Sequence, residues 1–424
     1  MRLQAIFAAA ALFLATTQMH SQSPTELQVT RGLGGRILTN TGVWSPDSQW
    51  IVYDTRSDAA GEKFDGKRIE MVNVRSGEVR VLYESGNGAH CGVATFHPRK
   101  ACVVFILGPE NPTPDWQYNA YHRQGVIVDA AKPGVAINLD ARDLMPPFTP
   151  GALRGGSHVH VWDPVGERVS FTYEDHVLAQ SGQNQRNIGV SAPSRPVVVP
   201  KTHPRNHDGS HFTVLVTRTT ANPKPGSDEI KKAFEEGWVG QRALAFQGQV
   251  VTEKGETISE VFIADLPDDL MQPGSEARIT QRRLTFTANR KFPGIQGPRH
   301  WLRSSSEGSR IAFLMKDDAG MAQFWTVSPN SGPPSQLTRN PWPIASAFTW
   351  SADGRRIAHV MDSSVCVTDA TTGATTRLTP RSDDARAPRP EACVFSPDGT
   401  KIAFVRRVPS PDAPANQICV VSVK

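Results

Sequence analysis

The chain has 424 residues, with 46 Lys and Arg against 41 Asp and Glu and a net charge of +5. That near balance, spread along the chain without a basic stripe, excludes a nucleic-acid binder. Five cysteines at spacings that match no zinc or Cys-x-x-Cys pattern read as buried thiols on strands. Cys91 with Cys102, and Cys393 with Cys419, also share repeats in which a disulfide is geometrically allowed.

At the N-terminus Arg2 precedes an apolar run of about 12 residues from Ala5 to Thr16, the length of a signal core and too short for a bilayer. Residues 1–21 are therefore expected to be a secretory signal peptide. Residues 22–424 are expected to form one exported domain, periplasmic or secreted, monomeric and without membrane insertion.

From there a short phrase recurs seven times: a turn pair, then apolar residues three and five positions after its second member. In chain order the pairs are Asp47-Ser48, Arg99-Lys100, Val165-Gly166, Asp208-Gly209, Glu307-Gly308, Asp353-Gly354 and Asp398-Gly399. An aromatic residue stands four places before the end of five of them: Trp44, Phe96, Trp162, Trp350 and Phe395. A strand, a tight turn and a second strand with period-two burial make a hairpin. Gly308, Gly354 and Gly399 are spaced by 46 and 45 residues, the size of one four-stranded propeller blade. The fold expected is all-β: a seven-bladed β-propeller of four-stranded blades. The wider intervals at the second and fourth turns predict insertions in blades two and four.

Outer strands announce themselves by a Leu-Thr ending: Leu284-Thr285, Leu337-Thr338 and Leu378-Thr379. The last blade lacks such a strand, and Leu27 to Thr30 has its character. This N-terminal segment is expected to join the last blade and close the ring, removing sheet edges. Residues 108–125 and 174–187 read as long loops, and 227–237 as a short helix ended by Gly237. All these elaborations fall on one face of the propeller, where a site is expected.

Eight positions before each turn lies the start of an innermost strand: Asn40, Gly92, His158, Lys201, His300, Ser346 and Glu391. With His160 and His90 nearby, imidazoles from three blades are expected at one rim. His90, His158, His160 and His300 are the candidate ligands of a divalent ion of the Mn, Zn or Fe type. Strand alternation predicts that His158 and His160 share a face. Polar residues at a wet channel mouth are the competing reading. His359 occupies an apolar slot and reads as core; His97 beside a turn reads as structural. In the elaborated loops His176 is the candidate base and Arg154 the candidate carboxylate clamp. Arg123, Arg299, Trp116 and His122 are candidate substrate contacts. No Gly-x-Ser-x-Gly, His-Glu-x-x-His or P-loop is present.

Ser396-Pro397-Asp398-Gly399 with Lys401-Ile402-Ala403-Phe404 resembles the repeats of TolB-type periplasmic propellers. Gly155-Gly156-Ser157-His158-Val159-His160, Pro225-Gly226-Ser227-Asp228-Glu229-Ile230 and Glu235-Glu236-Gly237-Trp238-Val239-Gly240 resemble the YidR-like family of bacterial propellers, from about Leu38 to the end. A more distant likeness, through His158-Val159-His160 before Trp162, is to oligogalacturonate lyases, seven-bladed propellers that hold a manganese-type ion; their glutamine ligand has no counterpart here. The last likeness implies a metal-dependent lyase on acidic oligosaccharides; the YidR-like resemblance carries no established activity. The alternatives are a TolB-type propeller that docks a periplasmic protein or peptide, and a carbohydrate-binding module.

Overall fold

The computed structural model describes residues 26–58, 61–183, 185–299, 301–409 and 414–423. The expected signal segment, and His300, lie outside them.

Seven four-stranded antiparallel sheets follow one another around a channel. Their inner strands are Gly35–Ile37, Cys91–Phe96, Gly155–Trp162, Ala233–Val239, Arg303–Ser304, Thr349–Trp350 and Pro388–Phe395, numbered here blades 1 to 7. The ring closes as the N-terminal strand implied: Glu26–Gln28 pairs antiparallel with Ala415–Ser422 as the outer strand of blade 7. Thr30 then accepts a hydrogen bond from the Ile418 amide and donates to Gln417.

The Leu-Thr ending has a physical reason. Just beyond the outer strand the Thr hydroxyl accepts from a third-strand amide that the short outer strand cannot reach. Thr285 does this for Val261, Thr338 for Phe324 and Thr379 for Val365, at 2.9 to 3.0 Å. Thr217 and Thr30 repeat it in blades 3 and 7. Each contact satisfies a buried backbone donor.

The turns are equally regular. In blades 1, 6 and 7 a Ser hydroxyl donates to the Asp two residues on and accepts from a backbone amide five residues on. The last turn residue has φ of 67 to 79° at Gly166, Gly308, Gly354 and Gly399; Ser48 accepts the same strain at 59°.

Two expectations fail. Asp208-Gly209 is not the hairpin of blade 4: Gly209 pairs with Val197 inside the connection that leads to Phe212–Leu215, the outer strand of blade 3. The true hairpin joins Val239 to Ala243 through Gly240, a turn too short for the recurring spacing. The helix expected over 227–237 is replaced by the inner strand Ala233–Val239, so Lys201 does not begin an inner strand. Insertions consequently belong to blades 2 and 3, not 2 and 4.

Apolar clusters fill the seams between blades, as between blades 6 and 7 around Ala358, Val367, Phe395, Ile402 and Phe404. The seam between blades 2 and 3 differs: its buried apolar cluster is only Val104, Leu139 and Val169. Asp140, Arg142, Ser157 and His160 are buried there as well. All five cysteines are free thiols. His359 is fully buried and bonded to Thr368, and His97 accepts from the turn amides of Arg99 and Lys100. No helix among the described residues is long and apolar enough to cross a membrane.

Candidate functional site

The polar seam between blades 2 and 3 supports the elaborated face. Asp140 accepts from the Gly125 amide and the Ser157 hydroxyl, both at 2.9 Å. Arg142, buried beside it, donates to the carbonyls of Gly155, His122 and Arg123. Burial pushes its guanidinium down to about 10, while the Asp140 charge opposes that shift. Its fork thus ties the end of the 108–123 loop to the inner strand of blade 3. Gly155 and Gly156 make the approach possible: a Cβ on Gly156 would collide with the Ala120 carbonyl, and one on Gly155 with the Glu174 carbonyl. The two glycines of the Gly-Gly-Ser-His motif are there for close backbone contact.

On this platform three of the expected residues meet. Trp116 stacks on His122 with ring centroids 3.6 Å apart, and His176 lies 4.8 Å from the same indole. His122 Nε2 is 3.0 Å from His176 Nδ1, and His122 Nδ1 is 2.6 Å from the Gln117 carbonyl. His176 opens a short helix, His176–Gln180, whose N-cap Asp175 accepts from the Leu178 amide. Burial lowers His122 to about 4, helped by repulsion from His176, Arg142 and Arg205. Burial, Arg142 and His203 lower His176 as well, against the pull of Asp175. Both imidazoles are therefore neutral near pH 7.

Sequence reasoning missed three members of this cluster. His203 lies 6.2 Å from the Trp116 ring, and Arg205 and Arg142 sit 5.6 and 5.5 Å from it on cation–π geometry. Arg205 also donates to the carbonyls of Glu110 and Asn111, pinning the start of the loop. His203 and Arg205 arrive on the long connection within blade 3 that was misread as a blade of its own. The only signal in the chain is the density of His and Arg between 142 and 211.

Arg154 is already committed: its guanidinium binds Asp175 from Nε at 2.9 Å, with 35% of the side chain exposed. Arg299 lies at the channel mouth, 3.7 Å from Glu391. There a cavity of about 320 Å³ is lined by Asn40, Arg56, Phe64, Arg299, Trp301 and Glu391. Beneath it Arg303 reaches from blade 5 to Asn40 on blade 1 and to the Glu236 carbonyl on blade 4.

Of the expected metal ligands, the three within the described residues, His90, His158 and His160, form no metal-binding group. The inner strand of blade 3 bulges between His158 and Val161, with Val159 at φ 59°, so the alternation that would align His158 with His160 is broken. Val159 lines the mouth cavity. His160 turns into the seam, where its Nε2 meets the Ser157 hydroxyl at 3.0 Å. Burial, with repulsion from Arg123, lowers His160 to about 3 and holds His158 well below its usual range. Arg123 itself lies over Tyr118, which stacks on Phe64 and meets His90 edge-on at 6.5 Å. Among the described residues no three of His, Cys, Asp and Glu come together as a metal group.

The Escherichia coli (strain K12) uncharacterized protein YidR is 47% identical over 397 residues, covering 89% of this chain and 94% of that protein. The chain belongs to the YidR family. Residues 90–207, which contain the whole rim cluster, match a family model described as a protein of unknown function, DUF3748. Among solved structures, an oligogalacturonate lyase in complex with manganese is similar at a TM-score of 0.59 and 10% identity, covering 96% of this chain and 94% of that one. An oligogalacturonate lyase from Vibrio parahaemolyticus gives 0.55 at 8%, covering 96% and 95%. At such identities these likenesses show that the YidR family shares the propeller fold.

Proposed function

We propose that this protein is an exported lyase that acts on an acidic oligosaccharide at the elaborated rim, with His176 as the base. The observation that carries the reading is the gathering of His176, His122 and the Trp116 ring among guanidinium groups. A neutral imidazole is the proton acceptor that elimination next to a carboxylate needs. Arg123, Arg142 and Arg205 supply positive potential for a carboxylate, and the half-buried Tyr121 supplies ring surface for a sugar, while the buried Trp116 ring holds the histidines in place. The shared fold of the oligogalacturonate lyases supports the substrate class. Their manganese is left out of the proposal, because His90, His158 and His160 form no three-ligand group and Arg123 stands against two of them.

The test is absorbance of unsaturated uronate during incubation with oligogalacturonate and a panel of other uronate oligomers. A rise that His176→Ala abolishes supports the reading. Binding without a rise makes the protein a carbohydrate-binding module. Neither binding nor a rise, with a partner captured from periplasmic extract, makes it a docking propeller. Cell fractionation tests export, and elemental analysis of protein purified without chelator tests the divalent ion.

A further inference from the structure

The hydrogen bonds of the rim cluster carry more than the presence of a base. A carbonyl oxygen only accepts, so His122 Nδ1, 2.6 Å from the Gln117 carbonyl, carries a proton. Neutral imidazole has one N–H, so His122 Nε2 holds a lone pair. Its 3.0 Å contact with His176 Nδ1 then requires the proton to be on His176 Nδ1. His176 Nε2 is left with its lone pair. On His203 the order is reversed. The backbone amide of Arg205 donates to His203 Nδ1 at 3.1 Å, so that nitrogen holds the lone pair and Nε2 carries the proton.

We infer that His176 and His203 form an acceptor–donor pair of opposite tautomers beside Trp116, with His122 as the positioning residue that sets the acceptor. The groups that face them are Arg142, Arg205, Asp175, Tyr121 and Trp116; Asp175 is already engaged by Arg154 and the Leu178 amide.

The chemical assignment rests on the lyase reading. His176 Nε2 takes the proton from the carbon next to the uronate carboxylate. The C–H electron pair becomes the new C=C bond, and the neighbouring bond to the glycosidic oxygen breaks with its electrons on that oxygen. The oxygen recovers the proton from His176 Nε2, and the imidazole ends neutral. His203 Nε2–H donates to the carboxylate oxygen on which charge builds. The balance closes without a further reactant.

The experiment is nitrogen NMR of histidine-labelled full-length protein near pH 7.5, with His176→Ala and His203→Ala used to assign signals. The expected result is a protonated Nδ1 and bare Nε2 on His176, and the reverse on His203. His122→Gln, whose amide oxygen still accepts, keeps the His176 pattern; His122→Ala loses it. The same tautomer on both rings, or a protonated Nε2 on His176, overturns the inference. On oligogalacturonate, His203→Ala is expected to lower kcat about 100-fold. His122→Ala is expected to lower kcat about as much. His122→Gln should recover most of that loss. Unchanged kcat in both alanine variants overturns the catalytic assignment. If the nitrogen pattern is as expected but wild-type protein releases no unsaturated uronate, the pair stands and the lyase reading fails.

Discussion

The seam between blades 6 and 7 and the seam between blades 2 and 3 solve the same packing problem with opposite chemistry. In the former, Phe395, Ile402 and Phe404 interlock with Ala358 and Val367, and stability comes from apolar area removed from water. In the latter, Asp140, Arg142, Ser157 and His160 replace most of that apolar surface, and directional hydrogen bonds among them join a small apolar cluster. Buried ionic groups seldom add stability over a hydrophobic seam. What they add here is position: Arg142 alone fixes the carbonyls of His122 and Arg123. The comparison teaches that one seam supplies apolar packing and the other aims the rim cluster.

The sharpest break of that comparison is His176→Ala. It is expected to cut turnover of an acidic oligosaccharide by about 10²- to 10⁴-fold. The melting temperature should hardly move, because the side chain is only half-buried. Because His176 is lowered by burial and by Arg142, the wild-type rate should fall only as pH drops below the ordinary imidazole range.

Phe404→Ala should do the converse. Loss of a fully buried aromatic ring costs about 3–5 kcal/mol, read from denaturant unfolding, while turnover per folded molecule stays near wild type. Equal turnover losses in both variants would show that the seams are not separable.

Arg142→Lys keeps the charge and loses the fork that spans three carbonyls, leaving buried acceptors unsatisfied at about 1–3 kcal/mol. It is expected to lower both stability and kcat, and unchanged kcat would remove Arg142 from its positioning role.

Glu236 gives the clearest sign. It is fully buried in the channel wall, accepts from Thr172 at 3.0 Å, and burial raises it to about 7. The folded state therefore holds a proton that the unfolded state has lost between pH 4.5 and about 7, so stability falls as pH rises through that window. His158 and His160, held neutral by burial, act in the other direction at acid pH. Glu236→Gln mimics the protonated carboxyl and should flatten the decline between pH 5 and 8 relative to wild type, measured by urea unfolding.

The architecture was legible because it is repeated and local. Asp398-Gly399 with Ile402 and Phe404 is a turn and a buried alternation, and both are set within ten residues. The closing strand was legible because Thr30 has the same task as Thr285, Thr338 and Thr379. Blade 4 was misread where the local signal misled: Asp208-Gly209 satisfies the spacing by chance, while the shorter turn at Gly240 breaks it. At the site, Trp116, His122 and His176 were legible as polar and aromatic residues in long loops. His203 was not, because its loop crosses from another part of blade 3 through contacts between residues far apart in the chain.

Six of the seven hairpins and the N-terminal closure follow from the amino-acid sequence, since turn chemistry and period-two burial are properties of short segments. Which imidazoles meet was decided only in three dimensions. A single bulge at Val159 breaks the alternation between His158 and His160, and a buried guanidinium at Arg142 holds the His122 backbone beside His176. Side-chain direction after a bulge, and hydrogen bonds across a seam, depend on neighbours that no local pattern contains.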